Sequence, residues 1–317
     1  MRPAEPLLRA VLVLALAGAA AGVSGCSISR MATKGVANSL TTGPDVYSTD
    51  DDPELVADAL PFGLKTMEGL LATLPDHEGL LQSLTRGFTL YGAGFVEPEA
   101  AKVEATDWAR AEEIRARSLK LYLRARGYGL RGLELRYPGI SQQLPIDPVP
   151  AAARIQKRDV AMLYWTAAAW GSAVSVGKDR PELIAEVPTV RALMERGLAL
   201  DETYQDGAFH EALMVLDGLS PALGGSPERV RRHFERAVEI QEGKSPSPYI
   251  TLAQTVAVPA QDRAEFVRLL ETALAIPPAD STYRLANTIH QRRARALLAR
   301  QDELFLDDAP DTTHTGE

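Results

Sequence analysis

The chain of 317 residues contains a single cysteine, Cys26, and this limits how it can be held together. One thiol cannot form an intrachain disulfide, and a cysteine-based zinc site needs several, so the fold must rest on packing alone. The cysteine directly follows Val23, Ser24 and Gly25, at the end of an apolar run. Because it has no partner in the chain, we interpret the thiol as an attachment point for lipid.

The sequence before Cys26 has the pattern of an export signal. Arg2 and Arg9 precede a continuous apolar run at residues 10–21, which is too short to be a comfortable membrane span. Small residues then lead directly to the cysteine, as they do in bacterial lipoprotein signals. We therefore predict that residues 1–25 are a lipoprotein signal peptide; an ordinary secretory signal with an incidental cysteine is the alternative.

Acylation of Cys26, with palmitate among the chains, predicts a protein anchored to a membrane. Ser27 follows the cysteine, and no aspartate retention signal is present. By analogy with other bacterial lipoproteins, this favours export to the outer membrane, facing the periplasm. Several acyl chains hold a protein far more firmly than the single chain that gives only marginal binding.

Composition favours helices and argues against nucleic acid as a partner. Alanine, leucine, arginine and glutamate dominate, and β-branched runs are scarce. The formal charge of the chain is −8; loss of the signal removes Arg2, Arg9 and Glu5, a net +1, and leaves the mature chain near −9. Phosphate binding requires a basic face, which an acidic chain of this kind does not predict.

Apolar residues recur at helical spacing along most of the mature chain, with Asp-Pro and Ser-Pro start signals between segments. Asp52-Pro53 is the first such signal. The proline-rich stretch 138–152 predicts a long loop between two halves. The predicted organisation is a lipidated tether at residues 26–52, a helical-repeat domain at 53–306 and a disordered acidic tail at 307–317.

A weak internal repeat indicates how the helices are arranged. Residues 196–201, 236–241 and 271–276 resemble one another, and each closes an amphipathic helix. They lie roughly 35 to 40 residues apart, near the period of helix–turn–helix repeats. We predict an all-α fold of stacked helix hairpins, a degenerate tetratricopeptide-like superhelix with a concave or enclosed surface. An irregular helical bundle is the alternative.

Motifs of catalysis lack the context that their chemistry needs. Residues 127–132 match G-x-G-x-x-G, but they follow a charged amphipathic helix instead of a strand, so we interpret them as a helix C-terminus. Ser175 and Lys178 match Ser-x-x-Lys without its companion motifs. No histidine belongs to a His-Glu-x-x-His pattern. We therefore predict no catalytic residue, no metal and no cofactor.

Aromatic residues interleaved with glycine and alanine form one candidate binding feature. Small residues beside rings can leave a cavity for an apolar ligand, and the alternative is ordinary core packing. Gly87, Gly92 and Gly94 in the first aromatic segment predict close helix contact or a cavity wall. The candidate channel residues are Phe88, Tyr91, Phe95, Tyr164, Trp165 and Trp170.

Several blocks of the mature chain resemble one known family, in the same order along the sequence. The blocks lie at residues 51–56, 59–65, 87–91, 95–96, 109–112, 121–126, 163–167, 233–237 and 284–287. They are similar to the T-component lipoproteins of TRAP transporters, the TatT family. No single block is diagnostic, and the specificity lies in their order.

This resemblance implies an all-α fold of cryptic tetratricopeptide-like repeats, with Cys26 as the lipid attachment site. It implies a homotrimer, a pore or channel through each subunit, and pairing with a periplasmic substrate-binding P component. It carries over no catalytic residues.

From the residues and this resemblance together we predict a lipid-anchored periplasmic protein that assists TRAP-type uptake of a hydrophobic or organic-acid (carboxylate) ligand. A scaffold lipoprotein that uses the repeats only for protein–protein contact is the second interpretation. An enzyme of unknown type is the third.

Overall fold

The computed structural model of the chain describes residues 30–277 and 283–306; the predicted signal peptide, Cys26 and the acidic tail lie outside these ranges. The regular elements of the described residues are helical, which confirms the all-α prediction. They are α1 (30–42), α2 (Pro53–Thr73), α3 (Glu78–Tyr91), α4 (Glu97–Val103), α5 (Trp108–Arg136), α6 (Ile140–Gln143), α7 (Pro148–Ala153), α8 (Val160–Val176), α9 (Pro181–Ile184), α10 (Val187–Leu200), α11 (Ala208–Asp217), α12 (Pro227–Ile240), α13 (Ser247–Leu252), α14 (Arg263–Ala275), α15 (Arg284–Ala299) and α16 (Gln301–Leu304).

The start signals in the sequence act as helix caps. The Asp52 carboxylate accepts a hydrogen bond of 3.0 Å from the backbone N–H of Leu55, and Pro53 occupies the first turn of α2. Asp262 caps α14 in the same way, through the backbone N–H of Glu265 at 2.8 Å. These contacts satisfy N–H groups that a helix leaves without partners at its N-terminus.

Helix α5 is longer than the sequence predicts, because it continues through residues 127–132. The interpretation of this stretch as a helix C-terminus is therefore wrong. Gly129 packs on Thr166 of α8, and Gly132 packs on Met162 one turn away; a Cβ atom at either glycine would lie 2.3 Å from those side chains. The glycines thus let α5 and α8 approach closely, which offsets their low helix propensity.

The proline-rich stretch 138–152 is also more regular than predicted. It contains α6 and most of α7 in place of a long loop. Gly139 turns the chain with φ +81°, in the left-handed region that favours glycine. Pro148 is in the first turn of α7, where a missing N–H is tolerated.

Successive long helices pack against one another in series: α2 on α3, α3 on α5, α5 on α8, α8 on α10, α10 on α11 and α11 on α12. One apolar core extends from α1 to α11, and a second extends from α11 to the last described residues. Stacking of this kind agrees with a repeat arrangement, although the tetratricopeptide-like detail stays a prediction.

The series of helices closes on itself, because α15 returns to the start of the domain. The Arg292 guanidinium forms a bidentate ion pair with Glu54 of α2. The backbone N–H of Leu285 donates to the carbonyl oxygen of Ser48 at 3.1 Å. The first and last parts of the described chain are therefore in direct contact. Helix α15 also packs on α13 and α14.

Helix α1 lies within the predicted tether, 26–52, yet packs on the body. Ala37 is completely buried, and Asn38 shares a hydrogen bond of 2.9 Å with His77. Asp45, just beyond α1, pairs with Arg86 of α3 at 2.5 Å. Residues 30–42 therefore pack on the helical domain, and the predicted domain boundaries stay predictions. Among the described helices, none combines the length and the apolar character needed to span a bilayer.

Candidate functional site

Four aromatic side chains form a continuous cluster, which we call the aromatic wall. Tyr164 and Trp165 come from α8, Tyr204 from the loop before α11, and Phe209 from α11. The Tyr164 ring lies 5.0 Å from Trp165, 5.2 Å from Phe209 and 5.4 Å from Tyr204, measured between ring centroids. Edge-on contacts at these distances hold rings in fixed positions. Trp165 and Phe209 are buried, so only Tyr164 and Tyr204 keep part of their surface open.

Polar groups border the aromatic wall on two sides. The guanidinium of Arg86 lies over the Trp165 ring at 5.8 Å from its centroid, close enough for a cation–π contact. Burial raises the pKa of Tyr204 to about 12. Burial also raises the pKa of Glu211, which accepts hydrogen bonds from Gln241 and Ser247. Glu211 keeps part of its surface open to water.

The six predicted channel residues do not form one set. Tyr164 and Trp165 belong to the aromatic wall, and Tyr91 and Phe95 form a separate, partly exposed pair 6.2 Å apart. Phe88 is buried and stacks on Tyr128 at 6.1 Å, as a core residue does.

Trp170 is the second core residue among the six. It is buried in α8, and its indole N–H donates to Glu186 at 2.8 Å. The role of these six residues as a channel lining stays a prediction.

A second group, which we call the polar junction, forms where α15 meets two π-helical segments. These segments are Gly92–Val96, between α3 and α4, and Ala253–Ala257, after α13. Insertions of this kind within helices are frequent at functional sites. The members of the junction are Glu97, Tyr122, Gln254, His290 and Arg293.

Hydrogen bonds define the polar junction. The phenol of Tyr122 donates to Glu97 at 2.5 Å, and the guanidinium of Arg293 donates to the amide oxygen of Gln254 at 2.7 Å. A Cβ atom at Gly92 would collide with the Tyr122 ring at 2.6 Å, and one at Gly94 would lie 3.6 Å from Ile289 of α15. The predicted close contact is therefore confirmed at Gly92, whereas Gly94 makes an ordinary van der Waals contact.

The two basic residues of the polar junction both have lowered pKa values. Burial lowers the pKa of His290 to about 4, and the charge of Arg293 adds to this effect. Desolvation by the surrounding helices also lowers the pKa of Arg293, although the side chain is exposed and Glu97 and Tyr122 oppose that change. Within residues 30–277 and 283–306, Arg293 forms no ion pair, so its guanidinium has donor capacity left.

A third group is a histidine pair between α11 and α12. His210 Nδ1 and His233 Nδ1 are 2.8 Å apart, so one nitrogen donates and the other accepts. Burial lowers the pKa of both imidazoles. Across the described ranges, no group of three or more His, Cys, Asp or Glu side chains is placed to hold a metal ion.

Sequence reasoning did not find Tyr204, Glu211, His290 or Arg293. They lie far from Tyr164 and Trp165 in sequence. The packing of α8, α10 and α11 brings Tyr204 against Tyr164, and the packing of α15 brings Arg293 to Gln254 in the separate polar junction. The available signals were the glycines at 92 and 94 and the three-residue spacing of His290 and Arg293, which places both on one helix face.

Comparison with known families decides which transport or binding system this fold belongs to. The family model described as TRAP transporter T-component matches residues 49–305. The chain belongs to this family. The match begins just before α2 and ends after α16, so it covers the closed series of helices that carries the aromatic wall and the polar junction.

This T component also has a similar protein in Treponema pallidum (strain Nichols). The two sequences are 29% identical over 304 residues, which is 90% of this chain and 94% of the relative. The relative is described only as an uncharacterized protein, so it adds no activity. Family membership makes the chain a component of a TRAP-type transport system; this is a transport family and not a known enzyme family.

Proposed function

We propose that this T component is a lipid-anchored periplasmic protein that binds the substrate-binding protein of a TRAP system and assists ligand uptake. The family match over residues 49–305 is the observation that carries the proposal. The sequence before Cys26 supports the anchor, because the thiol follows an export signal and has no partner in the chain. A trimer, implied by the resemblance to TatT proteins, remains part of this proposal.

The proposed ligand has an apolar part and a carboxylate. The partly exposed rings of Tyr164 and Tyr204 in the aromatic wall supply the apolar contact. Small-molecule sites are mostly apolar with few convergent polar groups. Arg293 supplies a guanidinium that forms no ion pair in the described part of the chain, and this group binds carboxylates in a two-pronged geometry. In this proposal the ligand passes through the closed series of helices.

Purification of the full-length protein from native membranes tests the partner. Mass spectrometry of the co-purifying proteins should identify a periplasmic substrate-binding protein, and Cys26→Ser should move the T component out of the membrane fraction. Acylated, folded protein that captures no substrate-binding protein would favour the scaffold interpretation instead.

A fluorescent fatty acid tests the ligand class, since it combines an apolar chain with a carboxylate. We expect Arg293→Met to weaken its binding at least tenfold, because the carboxylate loses its counter-charge. Arg295→Met is the matched control, as Arg295 is exposed on the same helix. If both variants bind the fatty acid equally well, Arg293 is not part of the ligand-binding site.

A further inference from the structure

One stripe of α15 stays open although other elements pack on both sides of it. Its positions are three or four residues apart, so they lie on one face of the helix. Two of them are exposed and two are half-buried. We call this face the inner stripe; its members are Ala286, His290, Arg293 and Leu297.

Contacts on both flanks place the inner stripe in a recess. On one flank, a Cβ atom at Gly94 would lie 3.6 Å from Ile289 Cδ1, so α15 touches the π-helical segment between α3 and α4. On the other flank, the side-chain amide of Asn287 donates to the carbonyl oxygen of Lys244 at 2.9 Å, just before α13. The inner stripe lies between these flanks and therefore faces the gap between the first and the last helices of the series.

The imidazole of His290 has one enclosed nitrogen and one open nitrogen. Nδ1 is fully buried and hydrogen-bonds to none of the described residues. Nε2 has no hydrogen-bond partner among these residues either, but it is not enclosed and opens into the recess. A proton on Nδ1 would leave a buried N–H without an acceptor, which is costly, so the neutral ring carries its proton on Nε2.

Arg293 lies one turn from His290 and also has donors left. Its guanidinium donates to the amide oxygen of Gln254 at 2.7 Å and, within the described residues, forms no hydrogen bond with the imidazole. Desolvation lowers the pKa of Arg293 although its side chain is exposed, as expected of a cation that opens into a recess instead of bulk water. The Glu97 carboxylate accepts the phenol of Tyr122 and forms no ion pair with the guanidinium. The charge of Arg293 is therefore open to an anion.

We propose that His290 and Arg293 together bind the free carboxylate of the ligand: the Nε2–H of His290 donates to one oxygen, and the guanidinium of Arg293 donates to the other. This inference deepens the proposed function and rests on its ligand class. Burial lowers the pKa of His290 to about 4, so at neutral pH the ring is a hydrogen-bond donor and not a second cation. An ester offers no negative charge to Arg293, so the pair selects a free acid over its methyl ester.

Displacement of the fluorescent fatty acid from the purified full-length protein tests this pair. Lauric acid and methyl laurate are the two competitors, since they differ only in the carboxyl group. His290→Leu removes the donor, whereas His290→Gln keeps a side-chain N–H near the position of Nε2. Arg295→Leu is the matched control, because Arg295 is exposed on the same helix and does not belong to the inner stripe.

We expect His290→Leu to weaken the binding of lauric acid about fivefold, because one carboxylate oxygen loses its donor. The binding of methyl laurate should stay the same, His290→Gln should restore most of the affinity for the acid, and Arg295→Leu should change neither. Nitrogen NMR of the wild-type imidazoles should show the proton of His290 on Nε2. Lauric acid should shift this resonance, and methyl laurate should not.

Contradictory results would separate this pair from the proposed function. A proton on Nδ1 of His290 contradicts the pair without any substitution. An equal loss of acid and ester binding in His290→Leu would show that the ring only supports the packing of α15. Lauric acid binding that depends on Arg293 and not on His290 removes the imidazole and leaves the proposed function intact. A wild-type protein that binds no fatty acid contradicts the proposed ligand class, and the pair with it.

Discussion

At the scale of single residues, two glycines of α5 differ in what surrounds them. Gly127 has open space where a Cβ atom would point, whereas a Cβ atom at Gly129 would lie 2.3 Å from Thr166 Oγ1 and 3.1 Å from its Cα. Gly127→Ala should stabilise the fold by about 0.5 to 1 kcal/mol, because alanine loses less backbone entropy in a helix. Gly129→Ala should destabilise it by about 1 to 3 kcal/mol, because α8 would have to move. Urea unfolding of both variants measures the difference, and equal effects would contradict the close packing of α5 on α8.

His290 makes stability depend on pH in a definite direction. Its pKa is lowered from 6.5 to about 4, so the unfolded chain binds the proton first as pH falls. The free energy of unfolding should therefore fall between pH 6.5 and 4, by roughly 2 to 3 kcal/mol from this group. His210 and His233, whose pKa values are also lowered, act in the same direction.

His290→Gln isolates this contribution. The variant should lose less stability than the wild-type protein between pH 7 and pH 4, as measured by chemical denaturation. Comparison at pH 8, where imidazoles are neutral, gives the packing effect of the substitution separately. Parallel pH profiles for the two proteins would show that His290 is not a buried neutral imidazole.

At the scale of helices, the cap of α14 gives a direct test of how the sequence sets element boundaries. Asp262 accepts the backbone N–H of Glu265 at 2.8 Å. Asp262→Ala should destabilise the fold by about 1 kcal/mol, because that N–H loses its acceptor. Asp58→Ala is the control, since Asp58 is exposed within α2 and alanine favours a helix. Thermal unfolding measures both effects. If the two substitutions change the melting temperature equally, Asp262 does not stabilise α14 as a cap.

The sequence predicts helix starts better than helix ends in this chain. Asp52 and Asp262 precede helices because a cap and the first turn are local features. The sequence predicts the end of α5 too early, because the packing of Gly129 depends on Thr166, 37 residues further along the chain. The stretch 138–152 was interpreted as a loop for its prolines, although proline is well tolerated in a first helical turn.

The candidate site was predictable only where its residues are neighbours in sequence. Tyr164 and Trp165 are predictable because they are adjacent in a segment where aromatic residues are interleaved with alanine and glycine. Their contacts with Tyr204 and Phe209 depend on the packing of α8, α10 and α11. Arg293 reaches Gln254 because α15 packs on α13 and α14, and helical periodicity does not encode that packing.

At the scale of the whole molecule, the closure between α15 and the first part of the domain bears on the proposed route of a ligand. The exposed ion pair of Arg292 and Glu54 contributes little to that closure by itself, because water and salt screen exposed charges. The backbone hydrogen bond from Leu285 to Ser48 marks a better position for a covalent cross-link that holds α15 against the first part of the domain. Ser48→Cys with Leu285→Cys should form a disulfide on mild oxidation, because the bond of 3.1 Å brings the two backbones together.

The locked protein should be more stable than its reduced form by roughly 2 to 4 kcal/mol, because the disulfide constrains the unfolded chain. It should still bind the fluorescent fatty acid with unchanged affinity, since the proposed route passes through the closed series of helices and needs no gap beside α15. Fluorescence titration of the oxidised and reduced forms measures this, with each single-cysteine variant as a control. Loss of binding on oxidation and recovery on reduction would show instead that α15 must separate from the first helices to admit the ligand.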